Sequence, residues 1–274
     1  MTDLFDRAAQ AIVQADALLV TAGAGMGVDS GLPDFRGPEG FWRAYPPYRE
    51  LGLRFEELAQ PRWFSRDPRL AWGFYGHRLE LYRATTPHQG FEILCRWVAR
   101  KRGGAFVFTS NVDGHFQRAG FDEAQVIECH GSLMHLQCTE SDCGIHPASD
   151  VRVDVDPITF RAAGPLPSCP VCGALARPNV LMFADGGWDD ARTAAAEARF
   201  ASWLSGVAAG RLAIVELGAG TAVPSVRMTG EAIARRHAAT LVRINVREPA
   251  APPPHLGIAR GALDALREID RRLG

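Results

Sequence analysis

The chain has 274 residues, 47% hydrophobic and 22% charged, enough apolar content for one large core or a core with an insertion. Basic and acidic residues number 30 and 31, a formal net charge of −1, which removes the broad attraction that nucleic-acid and anionic-membrane binders depend on. Nowhere do about 18 apolar residues run together, and Met1 to Gln14 is acidic and amphipathic instead of basic and then apolar, so a soluble cytoplasmic protein without leader or membrane span is expected.

Leu4, Phe5, Ala8, Ala11 and Ile12 fall on one helical stripe within Asp3 to Gln14, with Thr2 as the expected N-cap. Ala17 to Thr21 is a short apolar run that breaks into Ala22-Gly23-Ala24-Gly25-Met26-Gly27, the pattern of a buried strand and a glycine turn. Gly37 to Thr86 is rich in aromatics and Arg, with several prolines and no strand pattern, and reads as a helical insertion. Apolar runs at Ala105 to Thr109, Val126 to Cys129, Leu212 to Leu217 and Leu241 to Ile244 are separated by helix-length segments. Together they predict an α/β fold, a doubly wound, Rossmann-like parallel sheet covered on both faces. Leu133 to Pro178 holds two cysteine pairs and reads as a small metal-held module, while Ala250 to Pro254 is a connector before a final helix from Ala259 to Arg272. The expected division is a Rossmann-like domain of residues 1–37, 87–132 and 178–274, a helical insertion of 38–86 and a zinc-binding module of 133–177.

Gly23-Ala24-Gly25 follows a strand, where absent side chains let backbone N–H groups approach a pyrophosphate; the same pattern is also an ordinary tight turn. Gly27 does not complete Gly-x-Gly-x-x-Gly, which needs glycine one residue later. The cysteine signal is more specific. Cys138 and Cys143 are separated by four residues and Cys169 and Cys172 by two, with 25 residues between the pairs. Two such knuckles can set four thiolates around Zn²⁺, a closed and therefore structural site. Cys95 and Cys129 stand outside it, and His135 and His146 are second choices as ligands.

From Gly23 to Gly37 the chain reads GAGMGVDSGLPDFRG, followed in order by TSNVDGHFQRAG (Thr109 to Gly120), ECHGS (Glu128 to Ser132) and RPNVLMFAD (Arg177 to Asp185). These segments closely resemble the motifs of the sirtuin family, and the resemblance spans nearly the whole chain, with weaker support from Glu216 to Thr221 and from Arg243-Ile244-Asn245. It implies NAD-dependent removal of acyl groups from protein lysine, with acyl-lysine proteins as partners and nicotinamide and O-acyl-ADP-ribose as products. It also implies an NAD site at Gly23, Ala24, Gly25, Asp34, Phe35, Arg36, Ser110, Asn111, Asp113, Gly218, Ala219, Gly220 and Asn245, with Leu181 and Phe183 beside the substrate peptide.

An amide is a weak electrophile and a weak nucleophile, so deacylating lysine at neutral pH needs an activated water or a reactive partner, and NAD is such a partner. Asn111 and Asp113 are short polar groups at a strand end, suited to fixing ribose hydroxyls and the nicotinamide amide, the role of the matching sirtuin residues. His130 follows another strand and can take the proton of a ribose hydroxyl. These three are the expected catalytic set. Each alone has a plain structural reading, a satisfied histidine or an Asp-Gly turn; the joint pattern decides. Tyr75 and Arg78 lie three apart, on one helical face, and resemble the Tyr-x-x-Arg of sirtuins that prefer succinyl- or malonyl-lysine; the alternative is that Arg69, Arg78 and Arg83 form a solvated face.

Departures from the family pattern are Gly27 in place of Ser, Ser110 in place of Gln, Ala219-Gly220 in place of Thr-Ser, His115-Phe116 in reversed order, and Ala184-Asp185 in place of Gly-Glu. They touch contacts to NAD and to the acyl-lysine channel and leave the catalytic set in place. Two other functions stay open at this point. One is an ADP-ribosyltransferase or NAD glycohydrolase on the same scaffold. The other is a zinc-dependent binding module, for which the near-neutral charge disfavours nucleic acid.

Overall fold

The computed structural model describes residues 3–33, 41–43, 45–50, 52–140 and 142–274. In chain order the strands are β1 (Ala17–Ala22), β2 (Ala105–Thr109), β3 (Val126–Glu128), β4 (Gly131–Cys138), β5 (Ile145–Pro147), β6 (Asp154–Val155), β7 (Ala162–Ala163), β8 (Ala176–Val180), β9 (Leu212–Leu217), β10 (Thr240–Ile244) and β11 (Leu256–Ile258). Six of them form a sheet in the order β11-β10-β9-β1-β2-β3, with every neighbouring pair parallel.

The apolar runs form strands because both faces are covered. Leu18, Val20 and Ala22 of β1 pack with helices Leu4–Gln14, Gln89–Ala99 and Ala262–Leu273, while Ala17 and Leu19 pack with helices Ala191–Ser205 and Ser225–His237. Each fully buried Leu or Val contributes about 1.5–3 kcal/mol, so a charged residue at Leu19 or Val20 removes that and leaves an unpaired charge in the sheet. From β1 the chain steps outward to β2 and β3 on one side and, later, to β9, β10 and β11 on the other. This order reversal puts a crevice beyond the carboxyl ends of β1 and β9, the usual ligand site of doubly wound sheets.

Three details differ from the sequence-based expectation. The N-cap of the first helix is Asp3, with no side-chain cap bond, whereas Thr2 lies outside the described residues. The connector at Ala250 to Pro254 leads into β11, and the final helix begins at Ala262. β11 gives no apolar run because Gly257 sits at its centre, where a Cβ would lie 2.2 Å from the Pro249 carbonyl oxygen.

Beyond the sheet, β5, β4 and β8 make an antiparallel three-stranded sheet, and β6 and β7 a short hairpin. Their apolar side chains share one core with the helices between Pro46 and Ala84: Tyr48, Trp72 and Phe74 pack in the same cluster as Leu133, Leu136, Ala162 and Val180. Trp72 Nε1 donates to the Ala176 carbonyl at 2.9 Å, and Tyr48 Oη to the Phe160 carbonyl at 2.8 Å. The helical and the cysteine-bearing segments thus form one body, reached twice by the chain.

Candidate active site

The turns after β1 and β9 interlock. Gly23 N–H donates to the Leu217 carbonyl at 2.9 Å and Gly25 N–H to the Gly218 carbonyl at 3.1 Å. A Cβ on Gly25 would lie 2.7 Å from Gly218 Cα, and one on Gly218, whose φ is +61°, 2.3 Å from the Gly25 carbonyl carbon. These glycines are therefore required first by the meeting of two loops. Of the two readings of Gly23-Ala24-Gly25, a pyrophosphate cradle or an ordinary tight turn, the geometry supplies a reason for the turn, and two of the amides concerned are occupied within the protein.

Beside this junction opens a cleft of about 730 Å³, which brings together Gly23, Ala24, Ser110, Asn111, Asp113, His130, Gly218, Ala219 and Gly220 with Tyr75, Arg78, Leu181 and Phe183. Gly25 and Asn245 line a smaller adjoining pocket of about 260 Å³. Asp34, Phe35 and Arg36 lie outside the described residues.

The cleft floor is built at the ends of β2 and β3. Thr109 Oγ1 donates to the Ala22 carbonyl at 2.9 Å and accepts the Asn111 N–H at 3.0 Å; Asn111 Nδ2 in turn donates to the Gly23 carbonyl at 3.1 Å. Asp113 is 7% exposed and its Oδ1 accepts the His115 N–H at 2.9 Å. Burial raises the pKa of its carboxyl, against the opposing pull of His115 and Arg78. The His130 carbonyl accepts the Leu181 N–H at 2.9 Å, which ties the histidine's backbone to the segment after β8. Burial lowers the pKa of its imidazole, partly offset by a hydrogen bond to the Ser110 backbone. A neutral imidazole follows, able to accept a proton at physiological pH. Two residues upstream, Glu128 is 2% exposed and pushed up to about 6 by burial, against Arg192 at 2.5 Å.

At the far end Arg78 is 6% exposed. Its Nε and Nη2 donate to Tyr82 Oη at 3.1 and 2.7 Å, and its guanidinium carbon lies 5.2 Å from the Phe74 ring centroid and 5.9 Å from that of Phe55. The phenol hydrogen-bonded to Arg78 is thus Tyr82, one turn onward, while the Tyr75 ring stacks on Phe64 at 5.8 Å. The solvated-face alternative does not hold: Arg69 Nη1 donates to the Ala162 carbonyl at 2.9 Å and Arg83 Nη1 to the Val151 carbonyl at 2.6 Å, tying the helix to the cysteine-bearing segment.

One lip of the cleft is the segment after β8, where Phe183 N–H donates to the Ala59 carbonyl at 2.9 Å. A buried ion pair supports it: Arg177 reaches Asp185 through two bonds of 2.7 and 2.9 Å, with the side chains 5% and 0% exposed. The opposite wall carries residues the sequence reading did not single out. Thr221 Oγ1 donates to Glu248 Oε1 at 2.5 Å, and Arg227 Nε and Asn245 Nδ2 both donate to the Ala219 carbonyl, at 3.0 and 2.8 Å. These partners lie 8 to 27 residues apart in sequence, and the only local signal was Asn245 itself, at the end of β10.

The four cysteines meet away from the cleft lining. Their Sγ atoms lie within 4.8 Å of one another, and those of Cys138 and Cys172 are 3.5 Å apart. Tetrahedral Zn²⁺ with Zn–S bonds of about 2.3 Å places sulfurs roughly 3.8 Å apart, so the cluster fits the ion. The turn that carries Cys169 and Cys172 closes through Cys169 N–H to the Ala174 carbonyl at 2.7 Å and Gly173 N–H to the Cys169 carbonyl at 2.9 Å. The backbone N–H of Cys172 holds the Cys169 thiol below its usual pKa, which favours the thiolate a metal requires.

Comparison with known proteins agrees with this geometry. The Sir2 family model matches residues 23–205. A protein of Thermus thermophilus described as an NAD-dependent protein deacylase is 32% identical over 269 residues, covering 95% of this chain and 92% of its own. Its namesake in Aeropyrum pernix is 36% identical over 165 residues, 60% of this chain and 58% of its own. Among solved structures, a Sir2 homologue in complex with NAD superimposes with a TM-score of 0.72 at 25% identity, covering 100% of this chain and 94% of that one.

Proposed function

The chain belongs to the Sir2 family, and from that premise we propose that it removes acyl groups from protein lysine in an NAD-dependent reaction yielding nicotinamide and O-acyl-ADP-ribose. The observation that carries this reading is the meeting of Asn111, Asp113 and His130 in one cleft with the loop Gly218 to Gly220 on one wall and Leu181 and Phe183 on the other. When bound, NAD supplies a sugar carbon made electrophilic as nicotinamide leaves, a partner for the otherwise unreactive acyl oxygen. Asn111, held through Nδ2, and Asp113, held through Oδ1, orient the ribose hydroxyls and the carboxamide. His130 takes a ribose hydroxyl proton on its imidazole, which burial keeps neutral. Phe55 and Tyr82 narrow the acyl end and exclude water. Arg78 at that end supports acidic acyl groups, succinyl or malonyl, in addition to acetyl.

Zn²⁺ at Cys138, Cys143, Cys169 and Cys172 holds the small body together and takes no part in the reaction. The substrates are proteins. A net charge of −1 supports a partner other than nucleic acid, and we read the enzyme as cytoplasmic; no described helix is long and apolar enough to cross a membrane.

Acetyl- and succinyl-lysine peptides incubated with NAD test the reading. The expected result is nicotinamide release that depends on the peptide, with O-acyl-ADP-ribose identified by mass spectrometry. Release that ignores the peptide points to NAD hydrolysis and overturns it.

A further inference from the structure

Of the 30 basic residues in this chain 29 are arginine, and the one lysine is Lys101. We propose that the chain is proofed against the reaction it reverses, an inference that takes its sense from the deacylase reading above. Its positive charges are carried by groups that activated acyl donors, acyl thioesters and acyl phosphates, do not modify, and its single side-chain amine is engaged within the fold.

Acylation needs a neutral amine. The nitrogen attacks the acyl carbon, the bond to sulfur or phosphate oxygen breaks, thiolate or phosphate leaves, and the amine proton passes to solvent. Arginine offers no such nitrogen near neutral pH, since its guanidinium stays protonated and delocalised. It nonetheless supplies the buried ion pairs, Arg177 with Asp185, Arg192 with Glu128 and Arg243 with Glu216. Lys101 is half-buried, and its Nζ donates to the carbonyls of Ile12 and, at 3.0 Å, of Ala15. Ile12 lies in the last turn of the helix Leu4–Gln14 and Ala15 is its C-cap, where carbonyls lack helical partners and the helix dipole favours a cation. Two effects oppose each other at this nitrogen. Burial lowers the pKa of the ammonium, against the pull of Asp16, which by itself frees more amine. Charge-assisted bonds to the two carbonyls hold the proton, each worth roughly tenfold or more, and they decide the balance. The amide product would keep one N–H for two acceptors, so acylation also breaks the clasp at the helix end.

Acetyl phosphate tests this on the folded chain without NAD, so the outcome is independent of deacylase turnover. The rate of Lys101 acetylation, read by peptide mapping and mass spectrometry, is compared with that of N-acetyl-lysine amide in the same tube. The folded chain is expected to react at least about tenfold more slowly than this reference amine, and the urea-unfolded chain at the same rate. Arg211→Lys sets a second amine on the same face, because Arg211 pairs with Asp16 at 2.7 Å with its side chain 50% exposed; that amine is expected to react like the reference. Lys101 acetylated as fast as the reference amine in the folded chain overturns the proposal. So does protection that survives urea, and so does an equally slow reaction at the introduced amine, which would mean that the whole face is shielded and the engaged ammonium is not the cause.

Discussion

Replacing Asp185 by Asn tests how the substrate lip is held. The carboxylate receives two bonds from Arg177 and the backbone N–H groups of Met182 and Gly187 at 3.3 and 3.2 Å. With Arg177 4% exposed, the amide leaves a buried guanidinium without counter-charge, a change that costs about 3–5 kcal/mol. For a chain of this size the melting temperature falls by roughly 10 °C. Because the amide keeps only one of the two acceptor oxygens, either the Met182 or the Gly187 N–H loses its acceptor, so the segment Leu181 to Phe183 loosens and the KM for the acyl-lysine peptide rises. Arg177→Met is expected to cost as much alone, and the pair Arg177→Met with Asp185→Leu far less than the sum, since removing both charges removes the desolvation penalty with them. Thermal unfolding and peptide KM are the measurements. A melting temperature within about 2 °C of wild type for Asp185→Asn, which corresponds to less than roughly 1 kcal/mol, would show that the ion pair does not hold the lip.

His130→Ala is expected to cut turnover by about 10²–10⁴-fold while ADP-ribose binding persists; near-normal turnover refutes its role as base. Burial depresses the pKa of that imidazole, so the neutral, active form survives below the ordinary value near 6.5 and activity falls only as the pH drops through the lowered pKa. A pH profile of kcat/KM whose acid limb lies above about 6.5 contradicts this assignment. Arg78→Met should reduce activity on succinyl-lysine more than on acetyl-lysine, and equal losses on both remove the carboxylate-binding idea. Chelation, or Cys169→Ser, should release about one Zn²⁺ per chain by elemental analysis and lower the melting temperature; a metal-free chain that melts as before refutes a structural ion.

Much of this was legible in the sequence because its physical causes are local. β1, β2 and β9 announce themselves as largely apolar runs, interrupted by Thr21 in β1 and Glu216 in β9, since each is buried on both faces, and the cysteine spacing is set by the short turns that bring thiolates together. What escaped was non-local or negative. β11 is three residues with a glycine at its centre, placed there by the Pro249 carbonyl, so it carries no run to see. The brace formed by Thr221, Arg227 and Glu248 joins polar residues that elsewhere are solvated surface. Tyr82 escaped for a related reason: residues three and four apart share a helical face equally well, and spacing alone does not tell that Arg78 bonds the phenol of Tyr82 while lying 6.0 Å from the Tyr75 ring.

The small body draws its core from two stretches of chain with β2 and β3 between them. During vectorial synthesis this imposes a waiting period. When translation has reached β3, Tyr48, Trp72 and Phe74 are already made, while Leu133, Leu136 and Val180, against which they pack, are not. At about 5–20 residues per second the interval lasts several seconds, during which an aromatic half-core stands open to water. A trigger-type chaperone or slow, low-temperature expression should therefore raise the soluble yield of this chain more than that of a doubly wound domain without the insertion.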